Sequence, residues 1–292
     1  MIARRFAVTV GLAAAATVAA AAVAFTAANE KLVLVTVVSD ETRALTGLQP
    51  SDFTVTEDKD AVQVLEAVPA TPDPLSVVLL VDTAIPTGLA AATPELRKGL
   101  TSFVSTIQAR EPRARIALYQ VANAATPVTD FTADRAVLDS GISVIASGTP
   151  SGSKMLEGVV TAAKRLGEMP APRRAIVCVG IGTVEGSNNQ PKDVADAVRK
   201  SGSTLWVVSV QSSTDPPMTN RDVVWTRGTE ENGGVRMNVV QAHRLDGRLT
   251  AVANSLLSQY TLKLVRKKDG AVKGFKGTGP GGAQVLFTRW MR

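Results

Sequence analysis

The side chains that could do chemistry lie in three loops next to apolar segments of the chain. They are carboxylates, hydroxyls and one ammonium group: Asp82, Thr83, Ser153, Lys154, Thr183 and Glu185. The first loop follows the apolar run 75–81, and the third follows the run 175–179. Ligands of open α/β sheets bind outside the carboxyl ends of the strands, where the connections diverge. We therefore expect the three loops to form one binding face.

Alternating strands and helices are expected to position these loops. Continuous apolar runs are typical of strands buried on both faces of a parallel sheet. The sequence predicts core strands at 75–81, 115–121, 174–179, 204–210 and 260–265, and helices at 93–109, 132–145, 154–168, 191–200 and 245–257. Residues 128–131 follow the second strand closely enough to be its antiparallel hairpin partner. This alternation predicts a three-layer α/β/α fold with a doubly wound, mostly parallel, Rossmann-like sheet.

The two ends of the chain differ in composition from this central part. Residues 1–28, a basic start followed by an uncharged stretch, predict a signal peptide or an uncleaved signal anchor. Either one places the remainder outside the cytoplasm, in the periplasm or secreted. Residues 29–72 predict an N-terminal β segment with a Pro-rich linker, which forms a small β appendage. Residues 73–266 are the expected core domain. The Gly-rich tail 267–292, with a candidate final strand at 284–290, is expected to pack near the appendage.

The composition excludes several classes of function. The formal net charge is +6, and it falls by two if residues 1–28 are removed together with Arg4 and Arg5. No long run of Lys and Arg occurs and aromatic residues are only 4%, so nucleic-acid binding is not expected. The single cysteine, Cys178, can form no intrachain disulfide and is expected to be a buried, inert thiol. The single histidine, His243, suggests neither a hydrolytic triad nor a His-based metal centre.

The chain resembles proteins of the von Willebrand factor A type, in particular the von Willebrand A-related proteins common in Acidobacteria. The resemblance covers about residues 33–266. It is carried by segments 35–37, 47–48, 52–58 and 63–64, by the strand that ends at Asp82, and by segment 258–260. Family members with an intact site bind a divalent cation through an Asp-x-Ser-x-Ser loop, a Thr from a second loop and an Asp from a third. The resemblance implies a non-catalytic module that binds a protein or a surface ligand.

In this chain the resemblance implies a degenerate metal site. Asp82 matches the first ligand and Ser153 can replace the Thr, whereas Ala84, Pro86 and Ile181 stand where other oxygen donors are typical. An ion with so few protein ligands would keep mostly water. We therefore expect no cofactor, with Mg²⁺ bound weakly by Asp82 and Ser153 as the alternative.

Two interpretations of Asp82 remain open. In the first, its carboxylate is a relic that accepts hydrogen bonds from loop amides. In the second, the ammonium group of Lys154 takes the place of the cation and neutralises Asp82.

The sequence thus predicts an exported binding module whose partner-binding rim consists of the six polar residues of the three loops. The partner would be a protein or another component of the cell envelope, and membrane contact would occur only through an uncleaved anchor. One alternative is a metal-dependent adhesion module with non-standard ligands. Another is a periplasmic hydrolase that uses Ser151 and Lys154, which satisfy the Ser-x-x-Lys pattern of penicillin-recognising enzymes but lack their Ser-Asp-Asn motif.

Overall fold

The computed structural model of the protein describes residues 30–38, 44–84, 92–146, 152–181, 185–210, 219–266 and 274–291. The strands in these ranges are β1 (Glu30–Val38), β2 (Thr54–Glu57), β3 (Asp60–Pro69), β4 (Leu75–Asp82), β5 (Arg115–Val121), β6 (Ala125–Thr132), β7 (Arg173–Ile181), β8 (Thr204–Val210), β9 (Arg236–Val239), β10 (Gln259–Val265), β11 (Phe275–Thr278) and β12 (Gln284–Met291). The helices are α1 (Thr93–Arg110), α2 (Arg135–Ser143), α3 (Met155–Gly167), α4 (Pro191–Ser201), α5 (Asn220–Val223), α6 (Thr229–Glu231) and α7 (Leu245–Leu257). A π-helical turn, Val224–Gly228, joins α5 to α6.

A core sheet of six strands has the order β6-β5-β4-β7-β8-β9. All neighbouring pairs are parallel except β5 and β6, which form the predicted antiparallel hairpin. Every residue of β4 is buried, and successive side chains point to opposite faces of the sheet. Leu79 packs in the cluster that contains side chains of α1 and α7, and Leu80 packs in the cluster that contains side chains of α3 and α4. The predicted α/β/α layering is therefore confirmed.

The other strands form a closed antiparallel barrel in the order β1-β10-β3-β2-β11-β12. The barrel combines strands from both ends of the chain around an aliphatic and aromatic core that includes Val35, Leu262 and Phe287. The expectation of a small N-terminal appendage was therefore too limited. The expectation that 260–265 belongs to the core sheet was wrong. In β10 the inward residues Tyr260, Leu262 and Leu264 are buried and alternate with more exposed ones, as in a strand with a single buried face.

Two details of the core differ from the sequence-based expectation. The edge strand next to β8 is β9, which was not predicted. The helix predicted to begin at Thr132 begins at Arg135, because the Asp134 carboxylate accepts hydrogen bonds from the amides of Ala136 (2.8 Å) and Val137 (3.3 Å) and caps the first turn.

Buried ion pairs hold the amino end of the core sheet and the barrel. Arg173, at the start of β7, is fully buried, and its guanidinium donates to both carboxylate oxygens of Glu111 at 2.8 and 2.9 Å. It also donates to the side chain of Gln259, the first residue of β10, at 2.9 Å. In the barrel, Arg266 pairs with Glu57, and both side chains are buried. In Arg173, Nη1 makes both bonds to Glu111, and Nε makes the bond to Gln259. Since the guanidinium is planar and its donors are fixed in direction, Arg173 orients the barrel strand β10 relative to the core sheet.

The predicted signal segment, residues 1–28, lies outside the described residues. Among the helices of the described ranges, none combines the length and the apolar character that a membrane span requires.

Candidate functional site

The first loop of the site is fixed by hydrogen bonds at the carboxyl end of β4. Asp82 is 1% exposed, and its Oδ1 accepts a hydrogen bond from the Ala84 amide at 3.1 Å. The amide of Thr83 donates to the carbonyl oxygen of Val121 at 2.9 Å, and its hydroxyl donates to the same oxygen at 3.3 Å. The hydrogen bond from Ala84 is of the kind expected if the Asp82 carboxylate is a relic that accepts hydrogen bonds from loop amides.

The second loop lies between the end of β5 and the third loop. Gly152 has a positive φ of 83°, a conformation that glycine adopts without strain. The Lys154 amide then donates to the carbonyl of Ala122 at 2.8 Å, and the carbonyl of Ser153 accepts from the Gly186 amide at 2.7 Å. Ser153 and Glu185 form an isolated parallel bridge. The second and third loops are thus joined through their backbones.

The third loop caps helix α3 from outside the helix. Glu185 Oε1 accepts hydrogen bonds from the amides of Leu156 (3.4 Å) and Ser187 (3.1 Å). The Ser187 hydroxyl oxygen accepts from the amide of Glu157 at 3.2 Å. Lys154, the residue before the helix, supplies no side-chain cap. A carboxylate and a hydroxyl from another loop therefore satisfy amides that would otherwise lack acceptors, and the carboxylate is also favoured by the helix dipole.

Sequence reasoning missed the roles of Ser187, Glu157 and Asn188. The Asn188 amide donates to Glu157 Oε1 at 3.4 Å, which extends the contact between α3 and the third loop. The sequence signal for these roles was the polar segment 185–190, which comes after a buried strand. Such a segment can supply hydrogen-bond acceptors to the end of a neighbouring helix.

Two buried oxygen atoms of the site have no hydrogen-bond partner among the described residues: Ser153 Oγ and Glu185 Oε2. Burial raises the pKa of Glu185 above its usual range, although hydrogen bonds from Ser187 and the positive charge of Arg221 act in the opposite direction. Burial also raises the pKa of Cys178, and the negative charges of Glu185 and Asp82 add to this effect. The thiol is therefore inert, and both carboxylates lie near enough to the central strand β7 to act on it.

The proposed pairing of Lys154 with Asp82 is not what the structure describes. The Lys154 ammonium lies 3.6 Å from Glu157 Oε1, one turn along its own helix, and its side chain is 36% exposed. Its described ion pair thus involves a different carboxylate. Ser151, the candidate hydrolase nucleophile, lies outside the described residues.

Half of the residues predicted to form the partner-binding rim are buried. Asp82, Thr83 and Ser153 are 1%, 3% and 0% exposed, so they cannot form a contact surface in this conformation. Lys154 and Glu185 are partly exposed, and Thr183 lies outside the described residues. The buried residues form a supporting layer. The surface above them includes Lys154, Glu157, Gly186, Ser187 and Asn188.

The site fits a resident metal ion only in part. Asp82, Ser153 and Glu185 bring oxygen atoms from three loops, and within the described ranges Ser153 and Glu185 each have one oxygen that accepts no hydrogen bond. Ala84 has no side-chain oxygen, and one oxygen of Glu185 is already bonded to amides. Pro86 lies outside the described residues, and so does the side chain of Ile181. Among the described residues, no group of three or more His, Cys, Asp or Glu side chains could hold a metal. A Mg²⁺ ion bound here would depend largely on water.

Comparison with known proteins gives similarity at the level of the fold. Models of protein families and curated protein sequences yield no match. The chain is similar to a von Willebrand factor type A protein from Catenulispora acidiphila, with 10% identity, a TM-score of 0.54, and coverage of 88% of this chain and 72% of that one. A mutant of the PilB minor pilin from Streptococcus sanguinis gives 8% identity and a TM-score of 0.51, with coverage of 64% and 62%. Proximal thread matrix protein 1 from the mussel byssus gives 12% identity and a TM-score of 0.52, with coverage of 69% and 50%.

The chain thus spans less than two thirds of the pilin and of the byssus protein. At these identities the similarity concerns the backbone arrangement. Two features agree with this similarity. The core sheet is mostly parallel with helices on both faces, and an aspartate lies at the end of β4. The protein has a fold of the von Willebrand factor A type.

Proposed function

We propose that the protein is an exported, non-catalytic binding module that engages a protein or cell-envelope partner through the loops at the carboxyl end of the core sheet. The observation that carries this proposal is the capping of α3 by Glu185 and Ser187. These hydrogen bonds hold the second and third loops together as one preformed surface. Loops held in place by a rigid sheet are common sites of recognition.

The proposed contact surface consists of Lys154, Glu157, Ser187 and Asn188. It carries one ammonium group, one carboxylate, one hydroxyl and one side-chain amide, which suits a polar partner surface. The buried Asp82 lies beneath this surface, where the Ala84 amide occupies one of its oxygens. In this proposal hydrogen bonds between the loops do the positioning that a cation does in family members with an intact metal site. Export is supported by the basic and then apolar sequence of residues 1–28.

Site-specific photo-crosslinking tests this surface in the cells that produce the protein. A photoreactive benzoylphenylalanine replaces Asn188 in the full chain, and the control replaces Lys200, an exposed residue near the other end of α4. We expect a discrete crosslinked product from position 188 that is absent from position 200. The substitution Lys154→Glu should reduce its yield several-fold, because charge reversal at an interface opposes association. Identical products from both positions, or none from position 188, would contradict the proposal.

A metal-dependent adhesion module is the second candidate, favoured by the unbonded oxygens of Ser153 and Glu185. An ion that binds only the native state raises the melting temperature. Our proposal predicts equal melting temperatures in Mg²⁺, Mn²⁺ and EDTA. If either ion raises the melting temperature of the wild type and not that of Ser153→Ala, the protein is a metal-dependent module and our proposal is wrong.

A further inference from the structure

A site that works without a metal ion needs another positive charge near its carboxylates. Asp82 is buried, and Glu185 has a buried oxygen, Oε2. Burying a carboxylate is costly unless hydrogen bonds or an opposite charge compensate it. The ammonium group of Lys154 lies against Glu157 at 3.6 Å, so its described ion pair does not serve these carboxylates. The compensating charge is therefore expected on another element.

The short helix α5, which contains Arg221, lies on the same side of the core sheet as the third loop. β7 and β8 are parallel neighbours, so their carboxyl ends lie side by side. Glu185 follows β7 in the chain, and α5 follows β8. α5 also packs against α4, the helix that begins at Pro191 directly after the third loop. The topology and this contact together bring Arg221 to the third loop.

Contacts on both sides of Arg221 fix the position of α5. Asp222 accepts a hydrogen bond from the Thr219 amide at 3.3 Å, and it pairs with Arg236 of β9 at 3.2 Å. After α5 the chain makes the π-helical turn, in which Val224 and Trp225 are buried in the cluster that contains side chains of α3 and α4. Turns of this kind are rare and occur frequently at functional sites.

The guanidinium of Arg221 acts electrostatically on Glu185. Burial raises the pKa of the Glu185 carboxyl, and the positive charge of Arg221 opposes this shift. Arg221 Nε is itself buried, so part of the charge interacts through the protein interior, where water screens it less. Arg221 therefore favours the ionised form of Glu185. This form accepts hydrogen bonds more strongly from the amides of Leu156 and Ser187.

We propose that Arg221 is the resident cation of the site, in the role that a metal ion has in family members with an intact site, and that it positions the third loop by holding Glu185 ionised against the amino end of α3. The sequence suggested an internal cation but assigned it to Lys154, the neighbour of Ser153 in the chain. Arg221 comes to the site only through the packing of α5 on α4. The inference rests on the proposed metal-free binding function and names the residue that makes a metal unnecessary.

A double-mutant cycle in the full chain tests the charge of Arg221. Arg221→Met should lower the urea midpoint of the wild type at pH 7, and should lower that of Glu185→Gln by about half as much or less, because a neutral amide needs no counter-charge. Arg221→Lys keeps the charge and should stay close to the wild type. The control Arg227→Met removes an exposed arginine of the adjoining π-helical turn and should affect both backgrounds equally.

Amide hydrogen exchange tests the positioning role. Arg221→Met should speed exchange at the amides of Leu156 and Ser187 by about ten-fold or more, because a weaker acceptor lets the third loop open more often. Arg227→Met should leave both rates unchanged, and Arg221→Lys should restore them.

Two results would overturn this inference alone: equal losses of urea midpoint in the wild-type and Glu185→Gln backgrounds, or unchanged exchange at Leu156 and Ser187 in Arg221→Met. A melting temperature of the wild type that rises in Mg²⁺ or Mn²⁺ would overturn both this inference and the metal-free function. If Arg221→Met fails to fold, the double variant with Glu185→Gln decides. Recovery of folding supports the resident cation, and continued failure counts against it. Crosslinking from position 188 tests partner binding independently.

Discussion

At the amino end of β7, the guanidinium of Arg173 donates hydrogen bonds to Glu111, to Gln259 and to the carbonyl oxygens of Asp73 (3.2 Å) and Leu256 (2.6 Å). Beyond the carboxyl end of the same strand, Glu185 Oε2 is buried, and so is Ser153 Oγ in the adjoining loop. In the part of the chain that the structure describes, neither oxygen has a hydrogen-bond partner. The Arg173 guanidinium is therefore a buried charge whose donors are matched to acceptors. Beside it, Arg174 donates through both terminal nitrogens, and its buried Nε makes no described hydrogen bond. At the carboxyl end, the unmatched buried atoms among the described residues are oxygens of Ser153 and Glu185.

This difference separates a stabilising region from a functional one. A fully bonded buried network rigidifies a fold, whereas an unbonded buried polar group costs free energy and calls for an explanation such as strain or a binding role. The carboxyl end is also where α/β sheets bind ligands. We therefore assign the amino end to stability and the carboxyl end to function. The predictions below test that assignment.

The largest expected effect is at the amino end. Arg173→Met should lower the free energy of unfolding by about 3–5 kcal/mol, because removing one partner of a buried pair leaves the other charge uncompensated. Glu111 would then be buried without its cation, and three further acceptors would lose their donor. Urea unfolding followed by circular dichroism measures the change.

The control for this prediction is Arg165→Met, which removes an exposed arginine that pairs with Asp130 and Glu168. Its cost should be much smaller than that of Arg173→Met, because exposed ion pairs contribute little to stability. The double variant Arg173→Met with Glu111→Leu should recover much of the lost stability. Equal costs for Arg173→Met and Arg165→Met would show that the buried network of Arg173 stabilises the fold no more than a surface ion pair does.

The sequence was sufficient to predict strands β4, β5, β7 and β8 of the core sheet, because each contains a continuous apolar run. It was insufficient for the barrel, whose pairs join residues far apart in the chain, such as Val35 with Phe287. Short sequence patterns do not show which distant strands pair to close a barrel. The misassignment of β10 was avoidable, since Lys263 in the middle of the strand is atypical of a strand buried on both faces. β9 has too few apolar residues to give a periodic signal.

At the site, the sequence placed Asp82 and Glu185 beyond two apolar runs, and the structure describes Asp82 at the end of β4 and Glu185 beyond β7. Ser153 follows no apolar run and lies just before a helix. The sequence could not predict the burial of these residues. Exposure depends on how the second and third loops pack, here through the bridge between Ser153 and Glu185. It also could not predict that Glu185 caps α3, since the residues involved are 29 positions apart.

An intermediate effect distinguishes two buried serines. The Ser201 hydroxyl donates to the carbonyl of Val198 (2.7 Å) and lies 2.8 Å from the Ser203 hydroxyl. Ser201→Ala should cost about 1–2 kcal/mol, because buried partners lose their bonds. Ser153→Ala removes an unbonded hydroxyl and should leave the free energy of unfolding unchanged or raise it by up to about 1 kcal/mol, because a buried hydroxyl without a bond costs free energy. Urea midpoints in EDTA measure both, and a Ser153→Ala cost as large as that of Ser201→Ala would refute the comparison.

The smallest effect concerns the charge of Glu185 and depends on pH. Because burial raises the pKa of this carboxyl in the folded state, the folded protein retains its proton at pH values where the unfolded chain, with a pKa of about 4.3, has lost it. The stability from this proton is fully present below the unfolded pKa and is lost as the pH rises through the folded pKa. Glu185→Gln keeps an acceptor for the amides of Leu156 and Ser187 and carries no charge.

Glu185→Gln should therefore be more stable than the wild type at pH 7, by up to about 1 kcal/mol, and this advantage should shrink as the pH falls towards 4. Chemical unfolding at several pH values measures it. Glu168→Gln, which alters an exposed carboxyl, should show no such trend. If Glu185→Gln is instead destabilised by the same amount at every pH, its second oxygen has a partner in solution. The carboxyl end would then resemble the amino end, and the contrast between them would be lost.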